Sequence, residues 1–322
     1  MPIISSSYPG PPVLYLNGHF ETILPSVFRN IDGVVYYRER IDTPDGDFLD
    51  LDWSRKGSRQ LLIISHGLEG NSSRHYVQAL VKLFNQKGLD VLAWNNRSCS
   101  GEMNLQPILY HHGSTYDLKS VVDHVIKKYD YIEIYLTGIS MGGAQTLKYL
   151  GEEATSLPVQ IKKAAVYSTP CNLSDSAATL HFPSNFFYKE KFLSKLKVKM
   201  AEKAKQFPGL IDLELLEKVK EFKAFDDYFT ARMHGFKDGK DFYESVSPDN
   251  CLHRIEIPIL IVNALNDPLL QKRCYPVNLA QQKPNLYLEM PKRGGHTGFA
   301  LKNQEFSWVE QRMYAFLMED EK

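Results

Sequence analysis

The pentapeptide Gly138-Ile139-Ser140-Met141-Gly142 constrains this chain more than any other stretch. An apolar β-type run, residues 131–137 (YIEIYLT), leads into it, and a helix-forming run, residues 143–149 (GAQTLKY), follows. A strand that reverses into a helix through G-x-S-x-G has no room for side chains beside the serine, so glycines must flank it. Such a turn strains the serine backbone and lifts its hydroxyl above the end of a sheet. The hydroxyl then sits at a helix N-terminus, where free backbone N–H groups stabilise negative charge. The alternative is a Gly-rich turn that carries a solvated serine. The pattern around the turn, and the partners available to Ser140, distinguish the two.

That pattern alternates strand and helix. Residues 34–41 (VVYYRERI) and 48–53 (FLDLDW) form a hairpin about Thr43-Pro44-Asp45-Gly46. Residues 61–65 (LLIIS) are continuously apolar, as a buried parallel strand requires. A helix over 74–86, stopped by Gly88, a strand over 89–94 and a helix over 118–129 follow. After the Ser140 turn come a strand at 161–168, later strands at 257–264 and 286–290, and a closing amphipathic helix at 306–318. Between about residues 173 and 250 the chain is rich in Lys, Phe and Tyr, has helical periodicity and shows no strand. The expected fold is α/β: a mostly parallel sheet of eight-stranded type with helices on both faces. Residues 1–172 and 251–322 make the core, with an irregular, Pro-rich arm over about 1–30, and residues 173–250 a helical cap insertion.

Composition excludes several classes. Lys+Arg and Asp+Glu are both 38, so nothing favours nucleic acid or an anionic membrane surface. Cys99, Cys171, Cys251 and Cys274 are far apart and lack metal-ligand spacing, which reads as reduced thiols with no metal site. The N-terminus has no basic, apolar leader, and no run approaches the ~18–20 apolar residues of a membrane span. The expectation is a cytoplasmic protein without an integral membrane segment.

A serine hydroxyl is a weak nucleophile and needs a base, usually histidine, which a carboxylate must orient. Of the ten histidines, His296 lies in a Gly-flanked loop, Arg293-Gly294-Gly295-His296-Thr297-Gly298-Phe299, just after the last strand. Asp267 lies in Ala264-Leu265-Asn266-Asp267-Pro268, directly after a buried strand, in a turn that Pro268 stiffens. Carboxyl ends of strands are where doubly wound sheets carry their sites. The candidate catalytic residues are therefore Ser140, Asp267 and His296. An oxyanion would be held by the backbone N–H of Met141 and, from the loop His66-Gly67-Leu68-Glu69-Gly70, that of Leu68. His66 reads as a brace for this loop. His66, Gly67 and Arg97, with Phe186 and Phe187 from the insertion, are candidate pocket residues. His181, Phe182 and Tyr188 would join them or simply bury the insertion on the sheet. The H-x₄-D spacing of His112 and Asp117 reads as coincidence or a helix cap, and Cys99 as inert, with no basic neighbour evident.

On these residues the chain resembles the α/β-hydrolase superfamily, and more narrowly the YheT-like, or EMB8-like, hydrolases. The resemblance spans nearly the whole chain. It rests on Asn17-Gly18-His19 with Thr22-Ile23, on HGLEGNSSRHY from His66, on NNRSCSGEMN from Asn95, on His111-His112-Gly113-Ser114-Thr115, on Phe225-Asp226-Asp227, Gly235-Phe236 and Asp241-Phe242-Tyr243, and on the ALNDP and GGHTGF loops. It implies a carboxylic-ester hydrolase or acyl-transfer enzyme that uses the same Ser, Asp and His, needs no cofactor, and takes a small ester or lipid-like substrate. The chain is most similar to soluble bacterial members. Two alternatives stand beside hydrolysis: transfer of the acyl group to an alcohol, and a non-catalytic scaffold that only binds.

Overall fold

The computed structural model describes residues 3–319. Its strands are β1 (Ile3–Ile4), β2 (Tyr37–Asp42), β3 (Phe48–Ser54), β4 (Gln60–Ser65), β5 (Asp90–Asn95), β6 (Glu133–Ile139), β7 (Ile161–Tyr167), β8 (Ile259–Val262) and β9 (Leu286–Glu289). They form one sheet in the order β1-β9-β8-β7-β6-β4-β5-β3-β2. Every pairing is parallel except β2–β3 and β3–β5. The order reverses between β4 and β6, and that switch point opens the crevice in which a doubly wound sheet places its ligands.

The central strands bury both faces, so their side chains divide by parity. Leu61, Ile63, Ile134, Leu136, Ala164 and Val166 pack under helices α3 (Thr115–Lys128) and α4 (Met141–Glu152). Leu62, Ile64, Tyr135, Ala165 and Tyr167 pack under α2 (His75–Gln86) and α12 (Trp308–Met318). Gly88 takes φ +89° after α2, the left-handed position that stops a helix.

Between β7 and β8 the described elements are all helical: α5 (Leu173–Thr179), α6 (Phe186–Gln206), α7 (Leu213–Lys218), α8 (Phe222–Phe225), α9 (Ala231–Met233) and α10 (Gly239–Val246), with a π-helical turn over Asp226–Thr230. Their apolar side chains, among them Leu196, Met200, Phe222 and Phe225, form a separate cluster reached from the core by Leu109. The helix α11 (Val277–Gln282) links β8 to β9.

Two features depart from the sequence expectation. The arm before β2 is not irregular throughout: it holds an eleven-residue helix, α1 (Gly18–Phe28), despite Pro25 within it. The Asn17 side chain accepts from the N–H groups of His19 and Phe20 and so caps its first turn. The ninth strand, β1, is two residues long and too short to show periodicity.

The elbow is packed backbone against backbone. A Cβ on Gly142 would lie 2.1 Å from the Ser65 carbonyl oxygen, and one on Gly143 would lie 2.0 Å from Thr169 Oγ1. Gly142→Ala must therefore push α4 off β4. It is expected to lower Tm by about 5 °C or more in a thermal unfolding scan; an unchanged Tm would contradict this packing.

Candidate active site

Ser140 is the N-cap of α4 and adopts φ 57°, ψ −120°, a conformation that costs a non-glycine residue of order 1–3 kcal/mol. Its N–H donates to the Tyr167 carbonyl at 3.1 Å, which ties the turn to β7. Gly138 cannot be larger either, because a Cβ there would lie 2.3 Å from the Gly142 oxygen.

The loops after β8 and β9 bring Asp267 and His296 to this turn. His296 Nε2 lies 2.9 Å from Ser140 Oγ, and His296 Nδ1 lies 2.8 Å from Asp267 Oδ2. A carboxylate only accepts, so Nδ1 carries the proton and Nε2 is left to accept from the serine hydroxyl. Asp267 is buried, and its second oxygen accepts from the Leu269 N–H at 2.8 Å. The three residues expected to act together are thus joined in one hydrogen-bonded chain. Ser140 and His296 line the cavity above them.

The loop after β4 lies against the serine, with Gly67 so close that a Cβ would stand 3.2 Å from Ser140 Cβ. Gly67 N–H donates to Tyr76 Oη at 3.2 Å, Glu69 N–H to Tyr110 Oη at 2.8 Å, and Gly70 N–H to the Gly67 carbonyl at 2.9 Å. Among the described residues the Leu68 N–H has no acceptor. Met141 opens α4, so its N–H has no carbonyl one turn earlier within the helix. His66, a pocket candidate, lies outside the cavity lining and braces the loop instead. It is paired to the Gly67 carbonyl at 2.8 Å and accepts from the Asn96 N–H at 3.0 Å, so it does not face the cavity. Burial lowers its pKa to about 4 and keeps it neutral.

A cavity of about 950 Å³, counting its solvent-open part, rises from Ser140 and His296 into the helical insertion. Leu68, Phe192, Leu196, Met200, Phe222 and Phe225 give it apolar walls. Burial keeps several of its histidines neutral: it holds His112 and His234 down to about 4 and His111 well below the ordinary value. Burial also pushes Asp226 up to about 6, against hydrogen bonds from Tyr243 and Thr230, both at 2.7 Å.

Several pocket expectations are corrected. Arg97 does not reach the cavity rim: its guanidinium is buried against Asp45 at 2.7 Å, Asp47 at 2.9 Å and Asp117 at 2.8 Å. Those carboxylates occupy its donors and pin the β2–β3 turn to α3. Phe186 and Phe187 are 53% and 75% exposed, and their rings pack on each other. The inward face of α6 is instead the four-residue series Tyr188, Phe192, Leu196, Met200, which puts positions 186 and 187 on the outside. Phe182 is also exposed, and His181 pairs with Glu221 at 3.1 Å. Cys99 does have a basic neighbour, Lys199 Nζ at 3.1 Å, although burial still pushes the thiol pKa up. As expected, Asp117 does not act with His112.

Sequence reasoning also missed a tie between the insertion and the loop after β4. Lys199 of α6 pairs with Glu69 Oε1 at 2.8 Å, and the same oxygen accepts from Tyr110 Oη at 2.6 Å. The exposed-looking Lys series of α6 hid it, since one lysine on a helix face is usually solvated.

The fold is that of an α/β hydrolase. The chain belongs to that family, whose sequence profile, described as alpha/beta hydrolase fold, matches residues 60–302. Within it the chain is YheT-like, or EMB8-like. It is 32% identical to the putative esterase YheT of Escherichia coli over 93% of this chain and 89% of that protein. It is 30% identical to mouse phospholipase ABHD3 over 97% of this chain and 77% of that protein. In structure it is similar to the Pyrococcus furiosus esterase Pf2001, with a TM-score of 0.59 at 18% identity over 97% of both chains, a likeness of fold. Relatives of esterase and lipase type thus place the chain among hydrolases. Among the described residues no helix is long and apolar enough to cross a membrane, and no cluster could hold a metal ion.

The buried neutral His66 predicts a pH effect on stability. Its folded pKa, about 4, lies below the ordinary 6.5. Above 6.5 neither state binds the proton, and this source of stability is complete. As pH falls toward 4 only the unfolded chain takes the proton, which removes about 1.4 kcal/mol per pH unit and about 3 kcal/mol across the window. Urea unfolding at pH 7 and pH 4.5 should show the stability gap between the parent and His66→Asn narrowing on acidification. A constant gap would contradict a neutral His66.

Proposed function

We propose that the protein is a serine esterase. It cleaves short- to medium-chain acyl esters, including lipid-like ones, through an acyl-enzyme on Ser140. The observation that carries this reading is the hydrogen-bonded chain Ser140–His296–Asp267 at the floor of an apolar cavity. His296 takes the Ser140 proton as the oxygen attacks the ester carbonyl, and Asp267 stabilises the resulting imidazolium. The Met141 and Leu68 N–H groups receive the oxyanion; each such donor is worth ~10²–10³ in rate. His296 then gives its proton to the leaving alcohol. Water, deprotonated by the same imidazole, releases the acid and restores Ser140. The reaction needs no metal or organic cofactor. The apolar walls suit an acyl chain, and the phospholipase name of a relative favours a lipid-like ester. Residues 173–250 act as a cap whose apolar side chains enclose the acyl chain.

The test is hydrolysis of a series of p-nitrophenyl esters. Ser140→Ala should lower kcat by ~10⁴-fold or more with the fold intact by circular dichroism. Leu196→Trp and Met200→Trp narrow the cavity and should shift the preferred acyl chain to shorter lengths. If these variants leave the chain-length profile unchanged, the acyl group does not occupy this cavity.

A further inference from the structure

The loop that carries His296 is held by more than its own hydrogen bonds. Gly294, Gly295, Thr297 and Phe299 take φ values of 147°, 57°, 67° and 47°, so four of the six residues from 294 to 299 are left-handed. For Thr297 and Phe299 this is strain, which persists only where the surroundings over-determine it. The surroundings here include α1, in the arm that has no part in the mechanism above.

Thr22 Oγ1 donates to the Gly18 carbonyl at 2.6 Å, which spends its proton and turns a lone pair toward the His296 N–H, bound at 2.8 Å. Glu21 is buried, and its carboxylate accepts from the Gly294 N–H and from Arg293 Nε at 2.7 Å. It also accepts from Asn266 Nδ2 at 3.1 Å, while Asn266 Oδ1 accepts from the Gly295 N–H at 3.0 Å. Asn266 adjoins Asp267, so the same carboxylate holds the loops of Asp267 and His296 together. Backbones complete the fit: a Cβ on Gly18 would lie 2.0 Å from the Asn266 oxygen, and one on Gly295 would lie 2.7 Å from the Gly18 oxygen. The consecutive N–H groups of residues 294, 295 and 296 are thus bound by Glu21, Asn266 and Thr22. The N–H of Thr297 turns to Ser168 Oγ at 3.1 Å, and those of Gly298 and Phe299 turn to the Gly294 carbonyl at 3.2 and 3.1 Å.

We propose that α1 is a clamp for the reaction centre, with Thr22 and Glu21 as positioning residues that set the imidazole of His296 between Ser140 and Asp267. In the stretch Asn17-Gly18-His19-Phe20-Glu21-Thr22, Asn17 then starts the helix, Gly18 allows its approach, and Glu21 and Thr22 grip the loops. This inference rests on the proposed roles of Ser140, Asp267 and His296.

The experiment compares Thr22→Val, Thr22→Ser and Glu21→Ala in the full chain. Valine keeps the shape and loses the acceptor, whereas serine keeps it. Steady-state hydrolysis of a short-chain ester should show kcat down ~10–100-fold for Thr22→Val with KM changed less than about threefold, as for a small misplacement of a catalytic group. Thr22→Ser should restore kcat to within about threefold, and Glu21→Ala should fall in the same direction as Thr22→Val. Proton NMR of the His296 Nδ1–H, a far-downfield signal assigned by its loss in His296→Asn, reads position without turnover. It should weaken or vanish in Thr22→Val and Glu21→Ala and persist in Thr22→Ser. A Thr22→Val protein with reduced Tm but unchanged kcat and an unchanged Nδ1 signal would overturn the clamp, leaving Thr22 merely structural. A signal that depends on Thr22 in a protein without esterase activity would uphold the clamp and overturn only the proposed function.

Discussion

The left-handed backbone of Ser140 is the constraint on which the structure depends. Its strain puts the hydroxyl at the top of β6 and at the mouth of α4 together. Close packing holds it there: Gly142 lies against the Ser65 carbonyl, Gly143 against Thr169, and the Ser140 N–H is tied to Tyr167. The first contact is with β4 and the other two are with β7 and the residues just after it, so the turn needs β4, β6 and β7 in register. The sheet therefore positions the serine, and the strain is a consequence of the fold rather than a local accident.

The residues around Ser140 come from distant parts of the sequence and need separate supports. The loop of Leu68 is held by Tyr76 and Tyr110, and by Glu69, which Lys199 of the insertion grips in turn. The loops of Asp267 and His296 are held by α1. The insertion and α1 thus both bear on the site while standing outside the sheet. Above the serine, burial keeps the histidines of the cavity neutral. A wall of that kind favours an apolar guest and strengthens the electrostatic effect of the N–H donors below it.

Much of this was legible in the sequence, because the buried parallel strands are continuous apolar runs and each candidate side chain follows one of them. Ser140, Asp267 and His296 could be chosen from position alone. The pocket walls could not. Arg97 reads as a free cation after a central strand, yet Asp45, Asp47 and Asp117 converge on it only once the β2–β3 turn meets α3. Phe186 and Phe187 read as lining because they are aromatic. The inward face of α6 is settled by contact with the core, and a Lys-rich helix shows that face weakly. The helix α1 was hidden by Pro25 and by a Pro-rich approach, while its value lies in polar contacts more than two hundred residues away in sequence.

The central claim is that Ser140 is an activated nucleophile. Its most direct test is labelling of the folded protein with a fluorophosphonate, followed by peptide mass spectrometry to find the modified residue. The account predicts one adduct, on Ser140, formed far more slowly in His296→Ala and not at all after heat denaturation. An adduct on another residue, or a labelling rate indifferent to His296, would contradict it.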